Sequence, residues 1–237
     1  MNPKPDFNAV IFDMDGVIVD SEPCHERAIL EVIRESGYGP NHGLQISDYI
    51  GRSDQDVWKD FIARQKPRQT LEELLAMKRR RTVAIIQREQ PFFDGAVDLL
   101  EKLSRRCRLG LASGSDRAVV EAVLALKNLR RFFSSVVTGS EIQHGKPAPD
   151  IFLKTAELLA VNPKDCWVVE DSKPGVAAAL AAGMRVIAIA NTHPASELGS
   201  ATRVVSNYGE IWEMLCGPAK QRRGRVASAK PESRSPA

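Results

Sequence analysis

The chain reads as an α/β protein: a Rossmann-like, doubly wound parallel sheet carrying an inserted α-helical cap. Three observations predict this. Apolar runs of four or five residues, the length of a strand buried on both faces, recur along the chain. Helical patterns separate them, as in a sheet built by crossovers. One interval, residues 19–90, is helical throughout and too long for a simple crossover.

Taken in order, the first run is Ala9, Val10, Ile11 and Phe12, and it delivers Asp13 at its end. Residues 22–36, 55–64 and 71–88 then show helical periodicity and no convincing strand, so 19–90 is expected to form the cap. Pro91 restarts the core. Ala96, Leu99, Leu100 and Leu103 sit at helical spacing, as do Val119, Val120, Val123 and Leu124. Further strands are expected at 108–112, 135–138, 166–169 and 186–190. An alanine-rich stretch, 175–182, reads as a helix, with Gly183 as its C-terminal cap. The core is therefore assigned to 1–18 and 91–216. Residues 217–237, rich in Pro, Ser, Ala and Arg, offer almost nothing to bury and read as a basic disordered tail.

The chain has 237 residues, of which 43% are hydrophobic and 27% charged, proportions that permit an ordinary globular core. Its charge is uneven. Of 33 Lys/Arg and 30 Asp/Glu, six and one lie in the tail, leaving 27 basic against 29 acidic residues elsewhere. The body has no overall basic bias, so nucleic acid is not an expected partner. No apolar run approaches the roughly 18 residues of a membrane span. No leader of secretory type is visible, and a cytoplasmic monomer is the expectation. The four cysteines are scattered, without metal spacing, and read as reduced thiols. Lys78, Arg79, Arg80 and Arg81 form a basic run in the cap, read as a solvated helix face, with a substrate-steering patch as the alternative.

The ends of the expected strands are polar. Asp13 and Asp15 follow the first, Ser113 the second, Glu170 and Asp171 the fourth, and Lys146 stands in the turn His144-Gly145-Lys146-Pro147 before a helix. Strand ends of one parallel sheet converge, and ligands bind beyond them. Like charges about 4 Å apart repel by about 4 kcal/mol at an effective dielectric near 20, so clustered carboxylates need a cation among them. Oxygen ligands without Cys or His favour a hard ion such as Mg²⁺. A cation and Lys146 would hold a phosphate against a carboxylate nucleophile. Ser113, the backbone at Gly114 and the close approach allowed by Gly16 would complete an anion cradle.

FDMDGVIVDSEP, LASGS, HGKPAPDIF and VVEDSKPGVAAALAAGM resemble the four signature motifs of the haloacid-dehalogenase-like hydrolase superfamily, in its helical-cap phosphatase and β-phosphoglucomutase-like branch. The resemblance covers about residues 7–216. It implies a phosphatase acting on small phosphorylated metabolites, sugar or polyol phosphates foremost, through an aspartyl-phosphate. Asp13 would be the nucleophile and Asp15 the general acid and base. Asp13, the main-chain carbonyl of Asp15, Asp171 and Glu170 would serve Mg²⁺, while Ser113 and Lys146 grip the phosphoryl group. His25 matches a histidine at the cap hinge, and Arg52 lies in the cap loop that enters the site. The alternative within the branch is a sugar phosphomutase. Its loop carries a lysine before the glycine and an arginine three residues after it, where this chain has Ile50 and Asp54. Asp15, absent from the dehalogenases, argues against carbon–halogen cleavage.

Overall fold

The computed structural model describes residues 7–49 and 54–217. Six strands form one parallel sheet: β1 Ala9–Phe12, β2 Arg108–Ser113, β3 Ser135–Thr138, β4 Cys166–Glu170, β5 Arg185–Ile189 and β6 Arg203–Val205. Their order is β3-β2-β1-β4-β5-β6. Among the described residues eight α-helices accompany them: α1 Glu22–Glu35, α2 Asp54–Gln65, α3 Leu71–Glu89, α4 Ala96–Ser104, α5 Arg117–Ala125, α6 Asp150–Leu158, α7 Lys173–Ala181 and α8 Tyr208–Cys216.

The apolar runs become central strands because both faces of the sheet are covered. Along β1, Val10 and Phe12 enter the core shared with α4, α5 and α8, whereas Ala9 and Ile11 enter the core shared with α6 and α7. All four are buried. Edge strand β6 is three residues long and starts at an arginine, so no apolar run announced it. The expected run at 186–190 is shifted by one residue, to Arg185–Ile189.

This order places a switch point beside β1. The chain moves outward through β2 and β3, then returns to the other side of β1 with β4. Such a reversal opens a crevice beyond the strand ends. Register puts Phe12 level with both Leu111 and Val169, so the residues that follow emerge together.

Between β1 and β2 the chain runs through α1, α2 and α3, which enclose a core of their own around Trp58, Phe61, Ile33 and Leu74. Departure and return are paired: Val19 bridges Phe92, and the Asp20 N–H donates to the Pro91 carbonyl at 2.8 Å. Helix α3 starts at a capping box, with Thr70 and Glu73 satisfying each other's backbone N–H. Arg79 reaches Asp116 at 3.1 Å, tying α3 to the start of α5.

The basic run divides. Arg79, Arg80 and Arg81 are exposed, as a solvated face requires, and Arg81 pairs with Glu35 at 2.9 Å. Lys78 corrects that reading: it is 2% exposed and points into the cap. Leu74, Lys78, Thr82 and Ile85 are all buried and follow the helical period, so Lys78 occupies the inward stripe of α3. No helix among the described residues is long and apolar enough to cross a membrane.

Candidate active site

Lys146 organises the crest of the sheet. Its Nζ donates to Asp13 Oδ1 at 2.5 Å and to Glu170 Oε1 at 2.6 Å, joining the ends of β1 and β4. The loop from β3 to α6 supplies it, and its ammonium also lies 5.1 Å from the Phe152 ring centroid. Asp13, Glu170 and Asp171 are all buried. Three carboxylates and one ammonium leave two negative charges in a space that water barely reaches.

The electrostatics follow from that crowding. Burial raises the Asp13 carboxyl well above its ordinary value, Lys146 opposes this, and Glu170 adds to it. Burial and the neighbouring Glu170 push Asp171 up to about 6. Burial pulls the Lys146 ammonium down, but Asp13 and Glu170 outweigh it and hold the pKa above the usual lysine value.

Local structure aims these groups. Glu170 Oε2 accepts from the N–H groups of Asp171 and Ser172, each at 2.9 Å, and from Ser172 Oγ at 2.8 Å. Ser172 Oγ accepts in turn from the Gly175 N–H, capping α7. Gly175 must lack a side chain, because a Cβ there would stand 1.8 Å from Glu170 Oε1. Both Glu170 oxygens therefore serve protein donors. Asp171 Oδ2 accepts from Thr192 Oγ1, and His193 Nδ1 lies 3.9 Å from it.

Gly16 packs against Asp171. Its φ is +75°, and the space over its Cα holds the Asp171 carboxylate, 1.9 Å from where a Cβ would stand. Its N–H is taken by the Val19 carbonyl at 2.8 Å. The close approach it permits is to Asp171. Gly114 stands in open space after β2, and its carbonyl lies 2.5 Å from the position a Cβ on Gly139 would take.

Asp15 forms a second centre. Ser21 donates to its Oδ1 at 2.5 Å, and Ser113 and Ser115 donate to its Oδ2 at 2.9 and 2.8 Å. Ser113 thus orients Asp15 here, and its Oγ accepts the Ser115 N–H at 3.1 Å. His25 Nε2 stands 4.0 Å from Asp15 Oδ1. Its Nδ1 lies 2.5 Å from Lys78 Nζ, which also donates to Asp54 Oδ2 at 2.8 Å. An ammonium has donors only, so Nδ1 accepts and the ring proton sits on Nε2, facing Asp15. Burial first, and Lys78 second, lower the His25 pKa and favour this neutral form.

The sequence reading placed Asp13, Asp15, Ser113, Lys146, Glu170, Asp171 and His25 here, and the structure brings all seven together. Arg52 and Ile50 lie outside the described residues. Ser21, Ser115, Thr192 and Lys78 were missed. Ser21 and Ser115 stand inside the quoted motifs, and Thr192 follows β5, where the strand-end rule applies.

A parallel sheet with a helical insert after its first strand, and carboxylates gathered about one lysine beyond the strand ends, defines the class: an α/β enzyme whose candidate site stands at the topological switch point. The chain belongs to the haloacid dehalogenase-like hydrolases, whose family model matches residues 7–183. It is 34% identical over 185 residues to fructose-1-phosphate phosphatase YqaB of Escherichia coli K12, covering 76% of this chain and 95% of that one. It is 32% identical over 203 residues to hexitol phosphatase B of the same organism, covering 83% and 88%. The crystal structure of CbbY from Rhodobacter sphaeroides in complex with phosphate shares the fold, with a TM-score of 0.76 at 24% identity, covering 86% and 96%.

Proposed function

We propose that this phosphatase hydrolyses sugar or polyol phosphates with Mg²⁺, through an aspartyl-phosphate on Asp13. One observation carries the reading: Lys146 bridges Asp13 and Glu170 beside Asp171, so a nucleophilic carboxylate already faces a fixed cation. The names of the two Escherichia coli relatives, a sugar-phosphate and a hexitol phosphatase, support the substrate class.

The donor set suits a hard divalent ion. Among the described residues no three His, Cys, Asp or Glu side chains form a group that would hold a metal unaided. Mg²⁺ does not ask for one, since it binds through one or two carboxylates and completes its shell with water and substrate phosphate. Asp13, Asp171 and the Asp15 main-chain carbonyl would hold it, with Glu170 behind them. When bound it would neutralise charge on the transferring group and the two carboxylates.

Asp13 attacks phosphorus in line and displaces the alcohol oxygen. Asp15 gives that oxygen a proton, then takes one from the water that attacks the phosphoryl group, which frees Asp13 and releases inorganic phosphate. Ser21, Ser113 and Ser115 hold Asp15 for both steps, and the His25 Nε2–H faces it. Lys146, the Ser113 hydroxyl and the backbone at Gly114 would surround the phosphoryl oxygens. Helices α1–α3 would close over the substrate and exclude bulk water.

The mutase reading requires a grip on a second phosphate. By the resemblance, the mutases carry an arginine at the position of Asp54, a carboxylate that here pairs with Lys78 at 2.8 Å. The test is phosphate release from a panel of sugar and polyol phosphates and p-nitrophenyl phosphate, before and after metal is stripped and Mg²⁺ restored. Release is expected only with metal, and Asp13→Asn is expected to lower it about a thousandfold or more. Equal turnover after stripping, or by Asp13→Asn, overturns the mechanism. Conversion of sugar 1-phosphates to 6-phosphates with a trace of bisphosphate would favour the mutase.

A further inference from the structure

The end of the sheet opposite the crest carries a second concentration of charge. A cavity of about 550 Å³ opens there, and its lining includes Asn8, Arg105, Arg106, Arg108, Arg131 and Ser134. The arginines come from separate elements. Arg105 and Arg106 follow α4, Arg108 opens β2, and Arg131 lies in the 3₁₀ segment Leu126–Phe132 that precedes β3. Among the described residues no Asp or Glu lines the cavity.

Only one of these guanidinium groups is neutralised among the described residues. Arg105 pairs with Glu101 at 2.6 Å. Arg108 Nη1 donates at 2.6 Å to the Leu159 carbonyl, a neutral acceptor that leaves its charge uncompensated. Arg131 lies over the Phe132 ring, 4.7 Å from its centroid, a stacking that leaves the N–H edges of the fork available. Arg106 is exposed, and no carboxylate stands within ion-pair reach of it among the described residues. The negative C-terminal end of α4 explains cations at Arg105 and Arg106. It does not explain Arg108 and Arg131, which other elements supply. Three unpaired guanidinium groups around one cavity are unexpected in a body whose acids slightly outnumber its bases.

A cavity of this volume accepts a small molecule. Guanidinium forks match phosphate oxygens two at a time. Arginines from three elements line this cavity, and an anion with more than one phosphate group would engage them together. We propose that this cavity binds a small anion bearing two or more phosphate groups, at the pole of the sheet opposite Asp13. Inorganic oligophosphates and nucleoside di- or triphosphates share that chemistry. The site stands apart from the hydrolytic one and does not rest on the reading of it.

Calorimetric titration of the full chain without added metal tests this, with inorganic tripolyphosphate in one arm and ATP in the other. Tripolyphosphate is expected to bind, and Arg106→Ala/Arg131→Ala to weaken it by about tenfold or more, as loss of charged hydrogen bonds requires. Both residues are exposed, so the double variant is expected to keep its fold by circular dichroism and its phosphate release from p-nitrophenyl phosphate. Lys146→Ala is expected to leave the affinity unchanged. Tighter binding of ATP would identify a nucleotide, and equal or weaker binding the phosphates alone. Amide NMR shifts in the wild type give an independent reading: tripolyphosphate should move Asn8, Arg108 and Ser134. Absence of binding, loss through Lys146→Ala instead of the arginine variant, or shifts confined to Asp13–Gly16 would overturn the proposal.

Discussion

Gly16 shows how much one residue carries at the crest. Its left-handed φ of +75° and the Asp171 carboxylate above its Cα both exclude a side chain. Gly16→Ala is expected to cost about 1–3 kcal/mol in backbone strain, and more for the displaced carboxylate. A lower urea midpoint together with weaker Mg²⁺ binding checks this. An unchanged Mg²⁺ titration would separate Gly16 from the metal site. Ser115 acts through Asp15, which it holds at 2.8 Å alongside Ser21 and Ser113. Ser115→Ala is expected to lower kcat roughly tenfold, with little change in KM, because a hydrogen bond to a charged group contributes about 1.5–3 kcal/mol. A rise in KM at unchanged kcat would instead place Ser115 on the substrate. Asp13, Asp15, Lys146 and Asp171 were legible as residues because each follows an apolar run or stands in a recognisable turn. Ser21 was not, since nothing local distinguishes a serine that starts a helix from one whose hydroxyl turns back to a carboxylate six residues earlier.

Helix α3 makes the corresponding point for an element. Its extent was readable from helical period and from the change at Pro91, and its observed span, Leu71–Glu89, extends the expected 71–88 by one residue. Its orientation was less evident, because four consecutive cations suggest an outward face. The period of 3.6 residues resolves them: only Lys78 joins the stripe of Leu74, Thr82 and Ile85. On that stripe Thr82 Oγ1 is buried and has no hydrogen-bond partner among the described residues. An unsatisfied buried hydroxyl is destabilising, and valine has nearly the same shape and a similar helix propensity. Thr82→Val is therefore expected to stabilise the protein by about 1 kcal/mol, read as a higher urea midpoint at unchanged slope. Destabilisation would mean that the hydroxyl has a partner in solution.

On the scale of the molecule, charge is divided between two poles and a tail. The crest concentrates carboxylates about one lysine, and the opposite end concentrates arginines. Residues 218–237, expected from the sequence to form a tail, lie outside the described residues; they carry six Lys/Arg, and Val226 is their one aliphatic side chain larger than alanine apart from proline. Their removal is expected to leave both the unfolding midpoint and phosphate release unchanged. A drop of several degrees would assign them a packing role. The amino-acid sequence by itself determined the parallel sheet, the helical insert and which polar residues stand at the strand ends, because apolar period and strand ends are local properties of the chain. The tertiary structure alone decided which group each of those residues meets. Ser113 and Asp15 stand 98 positions apart, and Lys146 and Asp13 stand 133. Only the packing of β1 between β2 and β4 brings such groups within a hydrogen bond, and no periodicity along a chain encodes a distance of that kind.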